Sequence, residues 1–350
     1  MRKLDSEQEV LKIAAGLKVD WQQNAVQNII ALCHEKISKW LKGAPKIRSI
    51  RELEVLVCQK VKLVFEEVRS DEDLTEIVRK YLGLGEPIFA TLKSDLDEKT
   101  FATLIERRKI DGNSNDRYVA VIDCRGNKAA RRFFTRWHEI AHLLTLQGQL
   151  ELPLHRSTSN RSPSERLMDT IAGEIGFYDP FFRPILREEV AKERGLTFAA
   201  VERIRERFCP EASFRATLNA CVSRFGGPVL LAEVALGYKK EEERQINSRQ
   251  TNLFPTVHPE SKLRVLTIIG NDGVRGTQFK IHRNMQVPAA SLLYRFYFKR
   301  DQFPADEVVD VENLNIWHHS DGTSLANIQV RIHARRIDNS ITALITPASF

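Results

Sequence analysis

The stretch Trp137-His138-Glu139-Ile140-Ala141-His142-Leu143-Leu144 constrains this chain more than any other. On an α-helix, positions i and i+4 lie on one face about a turn apart. His138 and His142 can therefore address a single point from a rigid support, and Zn²⁺ accepts neutral imidazole nitrogens at about 2.0–2.1 Å. Glu139 follows the first histidine, placed to act on a nearby water without ligating the metal. That is the arrangement for metal-assisted peptide hydrolysis. Trp137, Ile140, Ala141, Leu143 and Leu144 are uncharged, so this helix is expected to be packed on nearly every side. The plain alternative is two histidines on an ordinary helix.

A catalytic zinc takes three protein ligands and keeps a fourth position open, whereas a structural one is closed by four. The metzincin continuation is absent, because Thr145 and Gly148 stand where that pattern has Gly and His. Glu165 and Asp169, spaced i, i+4, offer the missing groups. Glu165 could bind zinc, and Asp169 one turn on could accept the N–H of a ligating histidine, which fixes its tautomer. Glu151, His155 and Glu174 compete for the third place, and His155 could instead polarise a substrate carbonyl. A solvated acidic helix face is the plain account of the pair. Cys124 stands before the metal helix, at the end of an apolar run. Its thiolate, ligating at about 2.3 Å, would be an inhibitory fourth zinc ligand that holds an enzyme off. A small buried residue at a strand end is the competing account.

At 350 residues the chain is expected to form two or three domains. A formal charge of +7 permits contact with nucleic acid without demanding it. Five scattered cysteines with no C-x-x-C spacing point to a reducing compartment and no disulfide framework. With no apolar leader and no run of apolar residues long enough to span a bilayer, no membrane partner is expected, and the cytoplasm is the expected location.

The elements read as α+β. Helical spacing runs through residues 1–82, interrupted at Gly43-Ala44-Pro45. Short strands are expected at 88–92, 101–105 and 118–122, with a turn-rich loop at 111–116. The metal helix is expected to start within 128–132 and to end at Gly148. A loop at 151–163 leads into a helix that Pro163-Ser164-Glu165 opens and that runs to about 177. More helices follow, then a charged and polar linker at 239–252. Strands are expected at 263–269, 278–282, 292–298, 328–334 and 341–346. The resulting division is a helical extension 1–50, a catalytic domain 51–187, a helical segment 188–245 and a β-rich domain 255–350. In the last, Tyr294, Arg295, Phe296, Tyr297 and Phe298 mix charge with stacking surface, which suits single-stranded DNA as an activator. A buried core strand is the plain reading of the same residues.

Residues 132–144, Arg132-Phe133-Phe134-Thr135-Arg136 running into the stretch above, resemble the metal helix of the ImmA/IrrE metallopeptidases. Glu165-x-x-Met168-Asp169-x-Ile171-Ala172 is similar to that family's Glu-x-x-Ala-Asn/Asp-x-Phe-Ala segment. The resemblance spans residues 52–235, more loosely at both ends. Met168, Ile171 and Gly176 depart from the pattern, the last where the family usually has Leu, and they touch packing rather than ligands. The resemblance implies a zincin-like metallopeptidase domain, with His138, His142 and Glu165 as zinc ligands and Glu139 as general base. It further implies a site-specific endopeptidase that cleaves a partner helix-turn-helix repressor in DNA-damage, mobile-element or anti-phage responses, the last as in the CapP type. Helix-turn-helix-like segments at 198–225 and a GAF-like sensor at 255–350 gating the activity complete the implied picture. The alternative function class is a DNA-binding or scaffolding regulator with a structural or vestigial zinc. Glu139 favours the enzyme, since a purely structural site has no use for it.

Overall fold

A computed structural model describes residues 2–44, 46–108, 116–145, 154–157, 162–248 and 259–348. The chain is α+β with two sheets. Its elements are, in order, helices α1 (Arg2–Asp5), α2 (Gln8–Gly16), α3 (Ala25–Lys42) and α4 (Ile50–Val61), strand β1 (Leu63–Val68), helices α5 (Asp71–Gly83) and α6 (Leu92–Asp95), strands β2 (Thr100–Glu106) and β3 (Tyr118–Asp123), helix α7 (Arg132–Thr145), strand β4 (Leu154–Ser157) and helix α8 (Pro163–Gly176). There follow α9 (Asp179–Glu193), α10 (Phe198–Phe208), α11 (Phe214–Arg224), β5 (Leu230–Gly237), α12 (Lys240–Ser248), β6 (Lys262–Gly270), α13 (Leu292–Phe298), β7 (Glu307–Asn313), β8 (Gln329–Ile337) and β9 (Ser340–Pro347). Two compact units result: Met1–Ile185 with Arg203–Ala220, and Leu186–Glu202 with Cys221–Phe350. Among the described residues, no helix is long and apolar enough to cross a membrane.

In the first unit the sheet order is β1-β3-β2-β4, with β3 parallel to β1 and antiparallel to β2. Every residue of β3 is buried, and side chains alternate faces along a strand. Val119 and Val121 pack with Leu74, Ile77 and Phe89 on one side. Ile122 packs on the other with Ala102 and Cys124. Covered on both faces, such a strand reads as an unbroken apolar run.

Helix α7 is buried from Trp137 to Thr145. Ser162 caps α8 by accepting the Glu165 N–H at 3.2 Å, with Pro163 in the first turn. The two helices run antiparallel, with Trp137 at Gly176, His138 at Asp169 and His142 at Glu165. A Cβ on Gly176 would lie 3.0 Å from Trp137 Cγ and Cδ1. That is why glycine suits this position: the indole already fills the space a side chain would need.

Helices α2 and α3 belong to this unit and pack on α8 and α7, so the expected helical extension 1–50 is a packing element of the first unit. Lys36 Nζ donates to the Leu144 carbonyl at 2.7 Å, satisfying an orphan carbonyl at the end of α7. Glu9 accepts the Ser164 N–H at 3.1 Å at the start of α8, where an acid also complements the helix dipole.

The second unit carries an antiparallel sheet of order β6-β5-β9-β8-β7. Its core joins Val265, Val234, Ile345 and Ile332 to Phe296 and Trp317. The expected boundary at 255 is therefore displaced: β5 pairs with both β6 and β9, and the charged run at 239–244 falls between two neighbouring strands.

Besides β5, which stands within the expected helical segment 188–245, four strand or helix expectations change. Residues 63–68, expected helical, form β1, because α4 ends at Lys62 in the left-handed region (φ 58°), a position more often taken by glycine. Residues 88–92 form a 3₁₀ turn opened by Pro87, running into α6. Residues 278–282 lie outside the strands. Residues 292–298 form α13, whose start is fixed by Glu312, accepting the Leu292 N–H at 2.7 Å and the Ser291 hydroxyl at 3.0 Å. Leu292, Leu293 and Phe296 share its buried face. Of the expected stacking surface for single-stranded DNA, Phe296 is in the core and Tyr294 and Tyr297 pack against it, while Phe298 stays exposed.

Candidate metal centre

Three ligand atoms converge between α7 and α8. His138 Nδ1–H donates to Asp169 Oδ1 at 2.8 Å, which leaves Nε2 of that ring a bare acceptor. This Nε2 lies 3.0 Å from Glu165 Oε2 and 3.2 Å from His142 Nε2. His142 Nε2 lies 3.4 Å from Glu165 Oε1. The His138 Nε2 lone pair and the Glu165 carboxylate repel at 3.0 Å unless a cation lies between them. Ligands about 2.0–2.1 Å from a tetrahedral zinc stand ~3.3 Å apart, so the spacing and the two-nitrogen, one-carboxylate donor set both fit that ion. Among the described residues, His138, His142 and Glu165 form the group able to hold a metal.

The electrostatics follow from the same contacts. Burial pushes the Glu165 carboxyl up, but the His138 and His142 rings that face it outweigh burial and hold the group well below the usual carboxylate range. Glu139 is enclosed, and its Oε1 has no hydrogen-bond partner. Burial raises its pKa to about 7, with His142 and Arg156 opposing the rise and Glu165 and Asp169 adding to it. A buried carboxylate oxygen without a partner is costly to keep, and such groups mark functional sites.

Arg156, on β4, was not foreseen from the sequence. Its Nη1 donates to Thr135 Oγ1 at 2.6 Å, and its Nη2 lies 3.4 Å from Asp169 Oδ1. Phe134 stacks beneath the guanidinium at 5.2 Å. It holds the carboxylate that holds His138. An arginine in a Ser- and Arg-rich run carries no spacing signal, because strand pairing rather than local periodicity brings it in: Arg156 stands opposite Ala102 of β2.

Glu174 lies on α8 outside the ligand group. Glu151, the helix end expected at Gly148 and the loop expected at 111–116 lie outside the described residues, apart from Asp116, as does the side chain of His155. Cys124 is not brought to the ligands. Its N–H donates to the Val68 carbonyl at 2.7 Å, and Glu67 and Arg132 act on the thiol. Arg132 opens α7, six residues before His138, or ~9 Å along the axis. Burial, aided by Glu67, pushes the thiol up to about 11, the opposite of a metal-ready thiolate. The fourth-ligand expectation gives way to a small buried side chain beside Ala102 and Ile122. X-ray absorption of the zinc-loaded protein is expected to show nitrogen and oxygen neighbours only, and a sulfur shell at about 2.3 Å would restore the latch.

Asp169 is the positioning residue most open to test, being half exposed. Asp169→Ala is expected to weaken zinc binding 10- to 100-fold, the usual cost of losing a carboxylate behind a ligating imidazole. Competition with a chelating dye measures it, and wild-type affinity would remove Asp169 from the site.

The segments at 198–225 form α10 and α11, with Ala200, Val201, Ile204, Leu218, Cys221 and Val222 all buried. Arg224 is buried too, so the arginines do not form one open face. Compared with models of known protein families and with curated proteins, the chain matches none.

Proposed function

We propose that this protein is a zinc-dependent endopeptidase that cleaves a partner helix-turn-helix repressor. The observation that carries the reading is the pairing of a three-ligand group with an enclosed Glu139 whose Oε1 has no partner. His138, His142 and Glu165 would hold the ion, with Asp169 fixing the His138 tautomer. When bound, zinc supplies a Lewis acid that polarises a carbonyl and makes water acidic near neutral pH. Among the described residues no fourth protein ligand joins the group, which favours a catalytic over a closed structural site.

The chain's own residues then do the rest. Glu139 takes the proton of the attacking water and returns it to the leaving amine, and a carboxyl raised toward 7 is matched to both halves of that task. Arg156 and Asp169 keep the His138 ring from turning. In the order β1-β3-β2-β4, β4 lies at an edge, next to the Arg156–Asp169 contact. An extended peptide can add to such an edge through backbone hydrogen bonds, which supports a protein substrate presented as a strand. The family resemblance supplies the repressor as substrate class and a GAF-like role for the second unit. An antiparallel five-stranded sheet with helices is compatible with that role.

Full-length protein loaded with zinc is expected to cut a small helix-turn-helix repressor at one site, and chelation is expected to stop it. Mass spectrometry of the products reads the result. Cleavage that survives removal of all metal would overturn the reading.

A further inference from the structure

Within the second unit, a cavity of about 630 Å³ lies against β6 and the turn that follows residue 281. Arg264, Lys239 and Arg283 line it together with His282, His318 and His319. One carboxylate, Glu241, faces the three cations. The volume lies in the range that holds one small organic ligand.

Arg264 is the side chain that gives the cavity its character. It is 2% exposed, yet its compensation is thin. Nη1 donates to the Asn284 carbonyl at 3.1 Å, and Nη2 approaches Glu242 Oε2 at 4.0 Å, beyond hydrogen-bond reach. Glu242 is committed elsewhere, accepting the Lys239 N–H at 2.6 Å. The Arg264 Nε–H is buried with no partner. A buried guanidinium is normally paired with an anion, since an uncompensated buried charge is strongly unfavourable. Arg264 lines the cavity, and a guanidinium is the side chain that can grip a phosphate with two parallel hydrogen bonds.

The surroundings agree. Asn284 sits in the left-handed region (φ 72°) and donates its N–H to the Val265 carbonyl at 2.7 Å, closing a tight turn that holds Arg283 at the cavity. The His282 and His319 rings stand 5.5 Å apart, tilted by 41°, and add N–H donors and flat faces. Among the described residues, the group able to hold a metal is the one in the first unit, and these imidazoles do not belong to it.

We propose that this cavity binds a small phosphate-bearing ligand of nucleotide size, with its phosphate on Arg264 and Lys239 and its remainder against His282 and His319. Free nucleotides and nucleic-acid strands share the phosphate. A volume sized for one small ligand favours the free nucleotide.

Isothermal titration of the full-length protein tests this with ADP, adenosine and a ten-residue oligothymidylate as probes. ADP is expected to bind, and adenosine to bind at least tenfold more weakly. Arg264→Gln is expected to weaken ADP about 10- to 100-fold, the worth of hydrogen bonds to a charged group. Because Arg264 is buried, the rim variant Lys239→Ala with His319→Ala serves as the second test, and it is expected to lose about tenfold while its melting temperature stays at the wild-type value. Equal binding of ADP and adenosine, ADP binding indifferent to the rim variant, or binding of the oligonucleotide with none of ADP would each overturn the proposal.

Discussion

Glu139→Gln protein is expected to bind zinc as the wild type does and to cleave its partner 10²- to 10⁴-fold more slowly, the range for loss of a positioned general base. The substitution keeps the side chain's size, and Gln fits a pocket where one oxygen already has no partner. The ligands His138, His142 and Glu165 are left intact, so metal content and cleavage separate. A second readout comes from linkage. Burial raises the Glu139 carboxyl in the metal-free fold to about 7, above its value in the unfolded chain. Between the ordinary carboxylate range and pH 7 the folded form then binds more protons than the unfolded form, so this group costs stability as pH rises through that window. Chelator-treated Glu139→Gln protein should therefore melt above chelator-treated wild type at pH 8, with the gap closing toward pH 4. Wild-type cleavage rates in the zinc-loaded variant would remove Glu139 from the chemistry, whatever the melting curves show.

The site was more legible in the sequence than the fold around it. His138, His142 and Glu139 follow from helical spacing, and Glu165 and Asp169 from the same geometry on a second helix opened by proline. Spacing of this kind is local, so the sequence carries it directly. Arg156 and the absence of Cys124 from the ligand group depend on which strands pair, and pairing partners are distant in sequence. The same limit hid β5. Leu230–Gly237 is rich in Leu and Ala, good helix formers, and becomes a strand because β6 and β9 flank it on both sides. Aromatic alternation at 292–298 misled in the other direction, since a serine cap and a carboxylate from β7 set a helix that periodicity alone does not reveal.

Removing residues 1–48 is expected to abolish folding of the first unit and with it zinc binding. Val10, Val26, Ile29, Ile30 and Ile37 are buried, each with at most 6% of its surface exposed. At about 1.5–3 kcal/mol for each large apolar side chain, their burial contributes roughly 8–15 kcal/mol as an upper estimate. A whole domain is stable by about 5–15 kcal/mol, so losing this packing leaves little or nothing. The deletion would also uncover apolar residues where α2 and α3 pack on α8, and would strip the Leu144 carbonyl of Lys36 and the Ser164 N–H of Glu9. Those two contacts sit at the ends of the helices that carry the ligands, so loss of register there reaches the metal first. The truncated protein is expected to be insoluble, or soluble without a cooperative melt and without stoichiometric zinc. A truncated protein that melts cooperatively near the wild-type temperature and retains zinc would show that these helices are an appendage, and that α7 and α8 hold their register without them.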